Sequence, residues 1–232
     1  MLFRSGARLT PSFIRIGGIA ADIPEPFLPR VRAFVATFPK RVDEYETLLT
    51  ENIIWKKRTQ GISPMSGADC IDYGVTGPVL RASGVYYDVR KAYPYSSYED
   101  FDFEIPLGQK GDVYDRYLVR LKEMRQSNRI VGQAAEKLPA GPVMAVDAPQ
   151  VTPPAKEAVG KDIAALIRHF KIMEEGFRPP RGEVYASIES SKGELGFYLI
   201  SDGGNKPFRM RVRPPSFINL GALDRKSTRL NS

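Results

Sequence analysis

Residues Glu183–Ser216, EVYASIESSKGELGFYLISDGGNKPFRMRVRPPS, decide the fold class, because they read as three strands joined by two glycine-containing turns. Val184, Ala186 and Ile188 fall on one face, with Tyr185 and Ser187 on the other. Leu195–Ile200 is an apolar run, and Phe208, Met210 and Val212 alternate with Arg209, Arg211 and Arg213. A period of two marks a strand, so three such runs in succession predict an antiparallel meander. The first turn, Ser190-Ser191-Lys192-Gly193-Glu194, sets one lysine beside a glycine at its tip. The second, Ser201-Asp202-Gly203-Gly204-Asn205, is built from residues that tolerate positive φ. Two turns and the Pro214-Pro215 exit frame a candidate site.

Upstream of the meander the pattern turns helical. From Pro24 to Thr50, Phe27, Val31, Phe34, Phe38, Val42, Tyr45 and Leu49 recur at three and four residues, and Pro39 is expected to kink or divide this helix. Trp55 with Ile53 and Ile54 reads as a short apolar anchor before Lys56-Lys57-Arg58, a solvated charge run. Ser66 caps a short helix that Gly74 ends. Gly77-Pro78 and Arg81-Ala82-Ser83-Gly84 read as tight bends around Val79-Leu80, and the aromatic-rich 86–103 as a packed loop. Asp112–Leu138 is the strongest helix, capped by Asp112, with Tyr117, Leu121, Met124, Val131, Ala135 and Leu138 inward. Its other face carries Arg120, Glu123, Arg125 and Arg129, read as interhelical or solvent charge. Ala155–Glu175 predicts a helix with Ile163, Leu166, Ile167, Phe170 and Met173 inward and His169 as a structural neighbour. Gly6–Asp22 reads as a loop. The residues therefore predict an α+β domain with a turn-framed lysine.

The chain has 232 residues, 42% hydrophobic and 26% charged, an ordinary globular balance. A single cysteine, Cys70, excludes an internal disulfide and any cysteine cluster built from this chain alone. No apolar run is long enough for a transmembrane helix, and the N-terminus lacks the apolar core of a secretory signal. No Ser/His/Asp set, phosphate-binding loop or dinucleotide fingerprint is visible, which removes the usual footing of nucleophilic and nucleotide-binding readings. Both ends look foreign: Met1–Ser5 and Asp224–Ser232 read as in-frame translations of sequencing-library adapters, leaving 6–223 as the expected natural segment. Removing Arg4, Arg225, Lys226 and Arg229 lowers the formal +7 to +3, or to +4 if Asp224 goes as well. A basic nucleic-acid-binding module thereby loses its main support.

Several stretches together resemble one family, the 49-kDa (D) subunit of respiratory complex I, the NADH:quinone oxidoreductase. They are GARLTPSFIRIGG (6–18), ENIIWKKRTQGI (51–62), DYGVTGPVLRASGVYYDVRK (72–91), YEDFDFEIP (98–106) and GDVYDRYLVRLKEMRQSNRI (111–130), then RHFKIMEEGF (168–177), GELGFYLISDG (193–203) and RVRPPSF (211–217). The resemblance implies a helix-rich α+β fold similar to the nickel-iron hydrogenase large subunit, with a small antiparallel sheet and a quinone pocket in place of the metal site. It implies quinone as substrate, and neither NADH nor an iron–sulfur cluster bound by this chain, the terminal cluster belonging to the neighbouring B subunit. The B and C subunits would adjoin it in the peripheral arm, and the H and I subunits would lie near the quinone site. The chain would be peripheral, on the cytoplasmic side of a bacterial plasma membrane or the matrix side of the mitochondrial inner membrane.

The resemblance also carries site residues. The family turn reads E-A-P-K-G-E, and Glu189, Lys192, Gly193 and Glu194 match it, while Ser190 and Ser191 replace its Ala and Pro. Lys192 would set a positive charge near a partly reduced quinone, and Gly193 would let backbone come close. Arg213, Pro214, Pro215 and Ser216 align with a stretch bordering the same cavity. A second candidate loop, R-P-G-G in the family, is here Arg15-Ile16-Gly17-Gly18, without the bend that Pro imposes. The family's headgroup-binding His and Tyr belong before residue 6, so this polypeptide alone is expected neither to bind quinone tightly nor to catalyse. The nearest alternative is the large subunit of a related membrane-bound nickel-iron hydrogenase, which has Arg where this chain has Lys192.

Overall fold

The computed structural model describes residues 13–229. Two short strands, β1 (Ile14–Arg15) and β2 (Gly18–Ile19), are followed by helices α1 (Phe27–Leu49), α2 (Ile53–Thr59), α3 (Gly67–Asp72), α4 (Pro78–Ala82), α5 (Val89–Ala92) and α6 (Val113–Lys137). Then come α7 (Lys156–Val159), α8 (Ile163–Phe170), strands β3 (Gly182–Ser190), β4 (Gly193–Ser201) and β5 (Arg209–Arg213), and α9 (Pro215–Arg229). The three long strands form one sheet in the order β3-β4-β5, so the chain is helix-rich α+β with the expected meander. The expectations for Met1–Ser5, and for the adapter-like residues beyond Arg229, lie outside the described residues. No helix among the described residues is long and apolar enough to cross a membrane.

The described residues divide into two compact units. The first contains those up to Phe27, Pro139–Glu183 and Leu199–Arg209. Here the expected loop is instead a tight hairpin, in which Ile14 pairs with Ile19 and Arg15 with Gly18. Its outer strand is bridged by Met144, with Ile19 N–H donating to the Val143 carbonyl and Ala145 N–H to that of Gly17. The helix expected over 155–175 is divided, because Asp162 caps a new start and accepts from the N–H groups of Ala164 and Ala165. α8 then buries Ala165, whereas Ile163, Ile167, Phe170 and Met173, all expected inward, are exposed, Ile163 by 75%. The hydrophobic period was real, but no described layer covers that face.

The second unit contains Leu28–Leu138, Val184–Tyr198 and the residues from Met210 on. One core cluster joins Met65, Cys70, Val75, Leu80 and Ala222; another joins Phe103, Ile105 and Ile130, with Tyr98 and Phe101 against it. Asp112 caps α6 through the Asp115 N–H, as its sequence predicts. The buried face of α6 is Val119, Leu121, Asn128, Ile130 and Ala135, and the expected Met124, Val131 and Leu138 are instead partly exposed. Ile130 is drawn inward by Phe103 and Ile105, contacts from a distant segment that periodicity cannot register. The charges of α6 are interhelical or tertiary: Arg125 meets Asp43 and Glu46 of α1, Glu123 meets Arg81, and Arg129 pairs with Asp102.

Pro39 does not divide α1, which is assigned as one helix of 23 residues. Lacking an N–H, Pro39 frees the Val35 carbonyl one turn back. Asn128 of α6, nearly buried, donates its side-chain amide to that carbonyl at 3.0 Å. A neighbouring helix thus supplies the donor that proline withholds. Asn128→Leu is expected to destabilise the fold by about 1–3 kcal/mol by leaving that carbonyl unpaired. Pro39→Ala, which restores the helical donor, should recover most of this loss, and thermal unfolding of the two single variants and the double variant measures the coupling.

Candidate functional site

The β3–β4 hairpin turns through Ser191 and Lys192, between strands ending at Ser190 and starting at Gly193. Gly193 adopts φ +133°, and a Cβ there would lie 2.6 Å from Thr76 Oγ1 and 2.8 Å from the Thr76 carbonyl carbon. Gly77, at φ +72°, would in turn place a Cβ 2.4 Å from Gly193 Cα. Two backbones therefore meet where neither residue can carry a side chain. Thr76 Oγ1 also accepts the Glu194 N–H at 3.0 Å, which fixes the register of that contact.

On the β4 side, the Glu194 carboxylate accepts the hydroxyls of Tyr185 at 2.7 Å and Tyr87 at 3.2 Å. Burial, helped by the Glu194 charge, pushes the Tyr87 hydroxyl up to about 12, so Tyr87 remains a donor at neutral pH. Arg213, at the end of β5, donates to the Glu194 carbonyl at 3.0 Å and to the Gly74 carbonyl at 2.6 Å, and lies 3.7 Å from the Glu194 carboxylate. Pro214 is exposed, Pro215 is buried as the first residue of α9, and Ser216 is exposed beside it. One turn along α9, Asn219 donates to the Lys192 carbonyl at 3.3 Å.

On the β3 side, the Glu189 N–H donates to the Tyr95 hydroxyl at 2.9 Å, and the side chain enters a buried ion cluster. Arg81, only 2% exposed, is its centre. The guanidinium lies 2.9 Å from Glu189 Oε1, 2.7 Å from Glu123 and 3.4 Å from Asp88, and it donates to the Tyr87 carbonyl at 3.0 Å. Arg90 closes the group by pairing with Asp88 at 2.6 Å. In water such pairs contribute little; inside a protein an unpaired member is costly.

The structure therefore brings Glu189, Lys192, Gly193, Glu194, Arg213 and the start of α9 together around one hairpin tip. The Lys192 side chain is exposed, and its ammonium has no partner among the described residues. Arg15, Gly17 and Gly18 belong to the other unit, where Gly17 at φ +89° and Gly18 at φ +151° serve the β1–β2 turn and a Cβ at Gly18 would meet the Val143 carbonyl at 2.2 Å. That unit also carries an open groove of about 600 Å3, lined by residues including Ile167, Arg168, Lys171 and Phe177 and by none of the predicted site residues. Among the described residues, no group of three or more metal-ligating side chains converges.

Sequence reasoning missed Arg81, Thr76, Tyr87 and Asp88 as members of the site, and read Glu123 as interhelical or solvent charge without its partner Arg81. It placed Arg81 in a tight bend, whereas Pro78–Ala82 is a short helix entered through Gly77 and Pro78, with Leu80, Arg81 and Ala82 buried. One signal was available: a lone arginine between Val79-Leu80 and Ala82 sits in an apolar context that an exposed bend does not need.

The family model described as respiratory-chain NADH dehydrogenase, 49 Kd subunit, matches residues 2–229. The NADH-quinone oxidoreductase D subunit of Geobacter metallireducens is 56% identical over 221 residues, which is 95% of this chain and 56% of the relative. A D subunit from Thermus thermophilus is 51% identical over 219 residues, 94% of this chain and 53% of the relative. One from Chloroflexus aurantiacus is 53% identical over 222 residues, 94% and 54%. The chain thus spans about half the length of the curated relatives it matches.

Two substitutions test the scaffold of the tip. Gly193→Ala is expected to cost about 1–3 kcal/mol, because the methyl group meets Thr76 backbone and the strained φ persists. Arg81→Met is expected to cost about 3–5 kcal/mol, because it strands the Glu189 carboxylate in the interior and takes the cation from Glu123, while Asp88 keeps Arg90. Chemical denaturation, read as a shift in midpoint at constant slope, distinguishes both from a neutral surface change.

Proposed function

The chain belongs to the family of the 49-kDa subunit of respiratory-chain NADH dehydrogenase, and we infer from this that it forms part of the quinone-reducing module of a proton-pumping NADH:quinone oxidoreductase. The β3–β4 hairpin is one wall of the quinone pocket. Arg213, Pro214, Pro215 and Ser216 border it. Electrons reach the quinone from an iron–sulfur cluster in a neighbouring subunit, so this chain's contribution is to bind, orient and stabilise charge.

The observation that supports this reading is the contrast at the tip. Both flanks of the turn are held, Glu189 by Arg81 and Glu194 by two tyrosines and Arg213, while the Lys192 ammonium between them pairs with nothing described. A cation that is not already neutralised by a neighbour is available when negative charge develops beside it. Lys192 stabilises the anionic quinone that forms as electrons arrive, and the Gly193–Gly77 contact keeps the tip from collapsing. Tyr87 and Tyr185 keep the Glu194 carboxylate hydrogen-bonded, which directs it away from neutralising Lys192. The family is related to the nickel-iron hydrogenase large subunit, and Lys192 is the position at which the two chemistries part.

Lys192→Met in the assembled oxidoreductase is expected to lower quinone reduction by about tenfold or more, with NADH oxidation by an artificial acceptor unchanged. Lys192→Arg, which keeps the charge, should retain a larger share of activity. Unaltered quinone kinetics in the Met variant would sink the reading.

A further inference from the structure

Three carboxylates enter the buried cluster beside the hairpin, and the fold treats them unequally. Asp88, with its side chain 1% exposed, accepts from Arg90 Nε at 2.9 Å, from Arg90 Nη2 at 2.6 Å and from the Arg90 N–H at 2.9 Å. Glu123 accepts from Arg81 Nε at 2.7 Å. Glu189, 4% exposed, has only a long 3.3 Å hydrogen bond from the Val89 N–H to Oε2. Its Oε1 lies 2.9 Å from Arg81 Nη1, yet this ion contact lacks hydrogen-bond alignment, and the atom is sealed from solvent. A buried carboxylate oxygen with no aligned donor is the one at which a proton is least costly to hold.

The groups facing Glu189 come from every element around it. α4 brings Arg81, the entry to α5 brings Asp88 and Arg90, and α6 brings Glu123 with Arg120 behind it. Tyr95 holds the Glu189 backbone, and Tyr87 links the cluster to Glu194 across the hairpin. Burial pushes the Glu189 carboxyl above its ordinary 4.5, Arg81 pulls it down, and Asp88 pushes it up again. The upward direction prevails because burial outweighs the attraction of Arg81.

We propose that Glu189 is a proton-exchanging group of the quinone module, taking up a proton that solvent delivers during local opening of the cluster when the quinone beside the hairpin is reduced, and releasing it the same way on reoxidation. This rests on the reading of the hairpin as a pocket wall. One electron added to the quinone brings one negative charge; one proton added to the Glu189 carboxylate removes one, so the net charge of the site is unchanged. The proton stays on Glu189 and is separate from the two that convert quinone to quinol. Ionised, Glu189 competes with Asp88 and Glu123 for Arg81; neutral, it leaves Arg81 to them and makes the surroundings of Lys192 more positive. Stability follows the same sign. The folded chain holds this proton at pH values where an unfolded chain has released it, so the stabilisation is complete below 4.5 and is lost as pH rises through the folded value.

The test uses the assembled oxidoreductase and reduction-induced infrared difference spectra in the carboxylic-acid carbonyl region. The wild type should gain a band on reduction, and Glu189→Gln, similar in size and neutral, should lose it. Asp88→Asn, which removes a neighbouring negative charge and keeps a side-chain oxygen to cap α5, should retain the band and shift its pH midpoint to lower pH. A band that persists in the Gln variant, or a midpoint unmoved in the Asn variant, overturns the proposal. Lys192→Met separates the two levels. Impaired quinone reduction there together with a persistent band in Glu189→Gln rejects only the proton site, whereas unimpaired reduction with a Glu189 band that still titrates with pH rejects the pocket reading and leaves the titrating site.

Discussion

A guanidinium that is 2% exposed must be paired, and the second unit is arranged to pair it. Arg81 collects Glu123 from α6, Asp88 from the turn into α5 and Glu189 from β3, so one buried charge ties together segments 42 and 108 positions away in sequence. The attraction need not exceed what a well-packed apolar group would contribute. Its consequence is specificity: each partner has one geometry in which the charge is compensated, and a displaced strand leaves an ion alone in the interior. The hairpin inherits its placement from this cluster.

A second constraint is steric. Gly77 and Gly193 meet with both residues at positive φ, so the backbone of the hairpin start lies directly on the entry to α4. Arg81 is four residues beyond Gly77, and Glu189 four before Gly193, so the glycine contact and the ion cluster brace the same pair of elements. Lys192 gains its interest from that bracing. An exposed lysine on a loose loop is a solvated charge; between two fixed flanks its backbone is held at one place, and its flexible side chain reaches out from there.

The meander was legible because alternation and turn composition are local signals, and both turns came out where Gly and Ser predicted them. Ser66 and Asp112 were legible as caps for the same reason. Other elements were misread where a distant partner decided the outcome. Pro39 suggested a divided helix until Asn128 supplied the missing donor. The inward face of α6 rotated to meet Phe103 and Ile105, and the apolar stripe of α8 met no described neighbour. At the site, Glu189, Lys192, Gly193 and Glu194 were found through resemblance to a family motif, while Arg81 and Thr76 emerged only from the packing.

The sequence by itself determined the meander with its lysine, the two long helices and the family, because each is written in short-range pattern or in runs of identity, whereas the β1–β2 hairpin and the short helices α4 and α5 were read as loops and bends. Tertiary structure decided which charges are buried, which glycines touch and which carboxylate lacks a donor. Those properties depend on desolvation and on contacts between residues far apart in the chain. Arg81 shows the difference: along the chain it is an arginine after a bend, and in the fold it is the buried charge on which the hairpin depends.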